Sequence, residues 1–408
     1  MAELSRAIDH VLGHDGTVPG TLAMSSNTAT WLLSTVAGAM ITTAGVVFSL
    51  TVVSLQLASS QFSPRVMRSF VRDRLSQVVI GLLIATFVYC VLTLRSISAD
   101  PDAPAPRVTL TVAVALTVAT VLLIVAHLDH LARGLQVGHV VHSIATEGQA
   151  VIAEKQRVGL SAEKAPEGSA AEAGATLTVH APRDGWVTQA PGDRMLAALP
   201  PHTTARLETR IGAYIHEGEP LVTVWPAPAD AGATTRRLAS TVTVADNRTM
   251  QYDVDFAIRQ LVDIGLRALS SAINDPTTAV EVTLRIGGLL RRLLLSDLPP
   301  VATAGPAGRV LLRPWDLSHD DYIAHSFDQL RQTSVTQPHV VTALLRVLRM
   351  LITLVREADR PQHVPALEQQ MQLLMSAMDK QPGLEPEELE RIRAVAFGQD
   401  PADRSGDA

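Results

Sequence analysis

The long charge-free apolar runs of this chain fall in three blocks near its start, and after them apolar and charged positions are interspersed. Not one charged residue lies between Asp15 and Arg65. Within that gap, Trp31 to Leu57 reads WLLSTVAGAMITTAGVVFSLTVVSLQL. At ~1.5 Å of rise per residue a helix of that length reaches about 40 Å, more than the ~30 Å hydrocarbon core of a bilayer. Leu75–Leu94 and Val108–Ala126 are two further charge-free runs, each long enough to cross. The pattern predicts a transmembrane region over 28–127, with spans at about 31–57, 75–94 and 108–127.

The connectors set an orientation. Residues after the first span carry Arg65, Arg68, Arg72 and Arg74 against Asp73 alone. The next connector carries Arg95 and Arg107 against Asp100 and Asp102, with Pro101, Pro104 and Pro106. The positive-inside rule puts the arginine-rich loop in the cytoplasm and everything after the third span there too. Residues 1–27 are then extracytoplasmic, yet they show no signal-peptide n-region or h-region. Either a short tail is translocated unaided or a further span belongs upstream; the expectation here is the second.

Beyond the membrane, apolar residues at helical spacing (Leu128, Leu131, Leu135, Val141, Ile144, Val151) predict that the last span runs on as a neck helix over 128–155. An Ala/Glu/Gly/Ser-rich linker follows at 156–176. Over 177–225 the period changes to alternating, the mark of short strands broken by Gly, Pro and Asp. A Pro/Ala connector at 226–238 and a short strand at Thr241–Val244 lead into a helical domain over 240–397, with a Pro/Gly loop at 296–308 and a polar tail over 398–408. Asp275 followed by Pro276 predicts a helix start, with the aspartate as N-cap and the proline at the first helical position.

Composition narrows the class. Mean hydropathy is +0.20 with 4% aromatic residues, and the net charge is −6. The acidic balance excludes an ordinary nucleic-acid binder. A single cysteine, Cys90, excludes a disulfide scaffold and a cysteine cage for zinc or iron–sulfur within one chain. It lies inside a span. No P-loop, G-x-S-x-G, H-E-x-x-H or G-x-G-x-x-G occurs, so nothing points to an enzyme, and no cofactor is implied.

Four constellations are candidates for function. Thr35, Thr42, Ser49 and Gln56 recur every seven residues along the first span, and mark one side of it. They read as the lining of a pathway formed where several copies meet, or as a packing face with Gly38 and Gly45 beside it. The Arg65, Arg68, Arg72 and Arg74 cluster reads as an anion-facing funnel or as topology signal and lipid-headgroup contact. His127, His130, His139 and His142 form two i,i+3 pairs just inside the membrane. Metal ligation is the weaker reading and an interfacial, pH-responsive role the stronger. Finally, Asp255, Arg259, Asp263 and Arg267 form a charge ladder on one helix face. With Arg248 and the Asn274-Asp275 turn they make either a ligand site or a salt-bridged interface.

Two resemblances attach to particular phrases. Arg183-Asp184-Gly185-Trp186-Val187 and Gly212-Ala213-Tyr214-Ile215-His216-Glu217-Gly218 resemble the barrel-sandwich hybrid of lipoyl and biotinyl carrier domains. Residues 177–225 contain no lysine, so the likeness implies a small structural β part and not a swinging arm. Gly45-Val46-Val47-Phe48-Ser49-Leu50, Gln56–Arg65 (QLASSQFSPR) and Arg267–Ala279 (RALSSAINDPTTA) resemble the bacterial predicted membrane proteins called domain of unknown function 2254. That likeness runs from about Trp31 to Met350. The resemblance implies an upstream hydrophobic segment, absent here, and a proline where Ser271 stands; it implies no activity. The fold expected is therefore a three-span α-helical membrane part plus a cytoplasmic α+β domain, with a small barrel-sandwich-like β part and a helical C-terminal part. The function expected is an oligomeric inner-membrane channel or transport-type protein, whose partners are the bilayer and other copies of itself. A non-conducting anchored scaffold or sensor is the alternative.

Overall fold

A computed structural model describes residues 22–61, 74–101, 103–134, 136–166, 174–382 and 385–398. The chain divides near His139 into two compact units, each taken by itself below.

Among the described residues the first unit contains three long helices, α1 (Ser26–Gln61), α2 (Arg74–Leu94) and α3 (Arg107–Gly134). Ala29, Leu33, Ala37, Met40 and Val47 recur at helical spacing and form the buried face of α1, which packs on α2 and α3. Several polar groups inside the bundle have internal partners. Thr86 and Thr120 hydroxyls, both buried, lie 3.1 Å apart, and the Tyr89 hydroxyl donates to the Thr109 carbonyl at 3.1 Å. With no water in a bilayer core such groups need internal partners. The start of α1 is pinned to the α2–α3 connector, through Ser26 N–H to the Ala103 carbonyl and Ala105 N–H to the Met24 carbonyl. Arg65, Arg68 and Arg72 lie outside the described residues, and Arg74 opens α2.

The neck helix is not continuous with the third span. α3 ends at Gly134, and α4 (Val137–Ser161) starts afresh after Gln136. Glycine is costly in a helix interior and commonly closes one; the hydrophobic spacing that suggested one helix continues across the break because both pieces are amphipathic.

The second unit combines two sheets and a helical body. Its strands are β1 (Leu177–His180), β2 (Gly185–Gln189), β3 (Thr204–Leu207), β4 (Tyr214–Ile215), β5 (Pro220–Trp225), β6 (Thr243–Ala245), β7 (Ala302–Gly305) and β8 (Arg309–Leu312). Five of them make a sheet in the order β1-β5-β3-β8-β7 and three make a second, β4-β2-β6. Val179, Val187, Leu207, Ile215, Val222 and Val244, drawn from both sheets, share one apolar core. Helices α5 (Gly192–Ala198) and α6 (Ala231–Thr241) close it through Met195, Leu196 and Leu238.

Here the structure departs from the sequence reading. The β part does not stop at residue 225: β3 pairs in parallel with β8, about a hundred residues downstream. The stretch 296–308 contains β7 and is not simply a loop, and 226–238 contains most of α6, capped by Asp230. Short strands paired only across a long sequence interval carry no local periodicity to betray them.

The helical body comprises α7 (Val254–Ala268), α8 (Pro276–Leu295), α9 (His319–Thr333), α10 (Pro338–Glu357), α11 (Val364–Met378) and α12 (Pro386–Ala396). Among the described residues four helices are long and apolar enough to cross a membrane: α1, α2, α3 and α10. α10 differs from the other three. Val341, Leu344, Leu345, Leu348, Leu351 and Val355 are buried within the second unit, while Arg346 and Arg356 stand on its exposed side. Its strong amphipathicity identifies a core helix of that unit.

Candidate functional site

The densest charge cluster lies where the β part, α7, α9 and α4 converge in the second unit. Asp253 caps α7, its carboxylate accepting from Phe256 N–H at 3.2 Å. An aspartate at this position satisfies one of the donors a helix start leaves open. Asp255 is the second residue of the helix and is almost fully buried.

Arg248 joins the two. Its Nε donates to Asp253 Oδ2 at 2.7 Å, and one Nη to Asp253 Oδ1 at 3.1 Å and Asp255 Oδ2 at 2.8 Å. The side chains of Arg248, Asp253 and Asp255 are only 13%, 4% and 2% exposed. The guanidinium lies 5.2 Å from the Phe256 ring and 5.8 Å from the Trp186 ring, so cation–π attraction adds to the fork. On its other oxygen Asp255 meets His325 Nδ1 at 2.7 Å and Arg259 Nε at 3.6 Å.

Burial would raise the Asp255 pKa. The hydrogen bonds and charges of His325 and Arg248 overcome it and hold the carboxyl well below the usual carboxylate range. For Asp253 the balance is reversed: burial outweighs Arg248 and its pKa is raised. The site thus contains one carboxylate strongly committed to its charge and one held in it at a cost.

A second buried pair adjoins them. Lys155 of α4 donates to the Tyr322 hydroxyl at 3.0 Å and lies 5.5 Å from that ring. Burial opposes its charge, but Tyr322, Asp316 and Asp253 together raise its pKa. Tyr322 and His325 are i,i+3 on α9, so one face of that helix serves both pairs. Gly212 closes the site from the β part. It has φ of +83°, and a Cβ there would lie 2.3 Å from Asp253 Oδ2 and 2.6 Å from an Arg248 nitrogen. Only glycine fits at that turn. As chemistry, the assembly is a charge lock: two carboxylates and several cations tie four chain segments together with their groups hydrogen-bonded.

The predicted site residues separate. Arg248, Asp255 and Arg259 come together here. Asp263 and Arg267 follow along α7, so Arg267 sits about 18 Å from Asp255 at ~1.5 Å per residue. Asn274 and Asp275 belong to that far end. Asp275 caps α8, accepting from Thr278 N–H at 3.1 Å and from its hydroxyl at 2.6 Å, while Asn274 accepts from Gln337 at 3.2 Å. Lys155, Asp253, Tyr322, His325 and Gly212 were missed as site residues. His325 reaches Asp255 across 70 positions, and nothing local marks it.

In the membrane unit, Thr35, Thr42, Ser49 and Gln56 all lie exposed on the side of α1 away from its buried face. The Thr42 hydroxyl donates to the Gly38 carbonyl at 2.8 Å. A Cβ added at Gly38 or Gly45 would meet nothing within 4 Å. The histidines are spread along the chain: His127 is buried on α3, His139 and His142 are exposed on α4, and among the described residues no three His, Cys, Asp or Glu side chains converge as ligands.

Comparison with known proteins gives a consistent picture. The chain is 31% identical over 383 residues to an uncharacterised protein of Mycobacterium tuberculosis strain H37Rv (Rv1290c), a match covering 92% of this chain and 73% of that one. An uncharacterised protein of Mycobacterium bovis (Mb1321c) matches to the same extent. No solved structure matches. A family profile described as "Predicted membrane protein (DUF2254)" covers residues 1–350. With its apolar helices, the charge lock beside them in sequence, and that match over most of its length, the chain belongs to the DUF2254 family of predicted membrane proteins.

Proposed function

We propose that this membrane protein works as a homo-oligomer, its copies meeting along the Thr35, Thr42, Ser49 and Gln56 side of α1 to form a channel or transport-type pathway. One observation carries the reading. Inside the helical unit the Thr86, Thr120 and Tyr89 hydroxyls have internal hydrogen-bond partners, whereas this heptad line faces outward. A polar line turned toward lipid is costly, most of all at the Gln56 amide; a second helix or water relieves it. The bare surface at Gly38 and Gly45 lets a neighbouring helix approach closely.

In this reading the membrane is the bacterial inner membrane. The arginine loop from Arg65 to Arg74 sits on the cytoplasmic side, and the second unit is cytoplasmic and assembles or gates the pathway. Its β part serves as a barrel-sandwich-like connector, consistent with the turns at Gly185, Gly212 and Gly218, all at positive φ.

The test is ion flux through liposomes holding the purified protein. The wild type should pass ions, and Gln56→Leu should change that flux without changing the oligomer seen in detergent. Ion-tight vesicles from a folded oligomer would favour the non-conducting anchored scaffold or sensor. A monomer in detergent and in bilayers would defeat the pathway, because three spans per copy enclose none.

A further inference from the structure

Lys155 and Tyr322 carry more donors than their surroundings accept. A lysine ammonium has three donors and no acceptor, so in the 3.0 Å contact between them Lys155 donates and the Tyr322 hydroxyl oxygen accepts. The proton of that hydroxyl must then go elsewhere. Among the described residues it meets no acceptor, although Tyr322 is only 2% exposed. Two of the three ammonium hydrogens also meet none among the described residues. Arg313 adds to the imbalance. One Nη donates to the Ala190 carbonyl and the other lies 3.8 Å from Asp316, but its buried Nε has no hydrogen-bond partner among the described residues. Buried donors left unpaired are costly, and native folds keep few of them. Charge points the same way. Burial opposes the charge of Lys155, and Tyr322, Asp316 and Asp253 restore it. Yet among the described residues no carboxylate lies within ion-pair distance of its Nζ. The two nearby carboxylates are already matched, Asp253 by Arg248 at 2.7 Å and Asp316 by Arg313 at 3.8 Å. Lys155 is left as one positive charge without a counterion of its own.

We propose that Lys155 and Tyr322 bind a small monovalent anion of the halide class, which accepts from the ammonium and the phenol together. One negative charge matches the one unmatched cation. A ligand that only accepts matches a set of groups that only donate, and hydrogen bonds to an ion are the stronger kind. Size follows from burial. Lys155 is half-buried and Tyr322 buried, so the ligand enters on the lysine side and only a compact anion reaches the phenol. The bound anion ties α4 to α9 beside the charge lock, and the stability of the second unit rises with anion concentration by mass action. None of this depends on whether the membrane unit conducts.

The test is thermal unfolding of the full-length protein in detergent, titrated with sodium chloride and, in parallel, with sodium gluconate. Both salts screen charge equally at one ionic strength, but gluconate is too large for the site. Tm should rise with chloride along a saturable curve and should not do so with gluconate. Tyr322→Phe keeps the cation and removes the phenol donor. It should raise the chloride concentration at half-effect about tenfold, the effect of losing one hydrogen bond to a charged group. Lys155→Met should abolish the chloride response; if that variant fails to fold, Tyr322→Phe alone decides. Identical curves in chloride and gluconate would mean that water completes the site, and would overturn the proposal. So would a chloride response unchanged in Tyr322→Phe, which would place the ion elsewhere.

Discussion

Arg248→Ala tests whether the charge lock holds the second unit together. The substitution removes three hydrogen bonds of 2.7, 2.8 and 3.1 Å and leaves two almost fully buried carboxylates. Removing one partner of a buried ion pair costs ~3–5 kcal/mol, chiefly through the uncompensated charge left behind. Asp255 keeps His325 and Arg259, which places the expected loss near the lower end, ~3 kcal/mol. For a unit of this size that is a fall in Tm of roughly 6–12 °C. Scanning calorimetry of the full-length protein in detergent reads it, with Trp186 fluorescence as a local reporter, since that ring faces the guanidinium. Arg248→Lys should fall between: it keeps the charge and loses the planar fork. The triple change Arg248→Met, Asp253→Asn, Asp255→Leu should regain much of the loss, because no carboxylate is then buried without its cation. A shift of under about 1 °C for Arg248→Ala would refute the reasoning. So would a triple variant less stable than the single one, which would locate the effect in packing alone.

The two aspartates should behave unequally. Asp255 has a depressed pKa when folded, so its stabilisation is present above the unfolded value near 3.9 and is lost as pH falls through the folded one. Asp253 has a raised pKa and contributes in the opposite sense. Asp255→Asn should therefore cost more than Asp253→Asn in urea unfolding at pH 7, and should flatten stability below pH ~4. Gly212→Ala should destabilise by ~1–3 kcal/mol through left-handed backbone strain and displacement of the Arg248–Asp253 pair, with loss measured by pulse proteolysis. His319 bonds the Leu293 and Ser296 carbonyls at 3.1 Å and lies 4.3 Å from the His363 ring. Burial lowers the pKa of both against the carbonyl bonds that favour charge on His319; Arg360 lowers both further, and His319 also lowers that of His363. Their contribution is full above the unfolded value near 6.5 and fades as pH falls, so His363→Phe should reduce the stability lost between pH 7.5 and 5.5.

Much of the membrane unit was legible in the sequence, because a bilayer imposes a local rule. Every span must be long, uncharged and helical, and Trp31–Leu57, Leu75–Leu94 and Val108–Ala126 declare themselves without reference to any partner. Helix caps were legible for a like reason. Asp275 before Pro276 acts within one turn of itself, and the structure shows its carboxylate on Thr278. The charge ladder was legible only as a pattern: four residues at helical spacing, whose partners the spacing does not name.

What the tertiary structure decided was every relation across a long interval. The sequence holds β3 and β8 a hundred residues apart with no repeat between them, and only folding pairs them in parallel. It offers Arg248, Asp255 and Arg259 as candidates, and folding alone supplies His325, Lys155 and the close turn at Gly212 and joins them into a buried lock. By length and composition α10 is a fourth candidate span, and its burial among helices of the second unit sets it apart from the other three. Local chemistry fixes which residues are helical and which span. Which charges meet depends on chain topology, and that is settled by burying one apolar core at once.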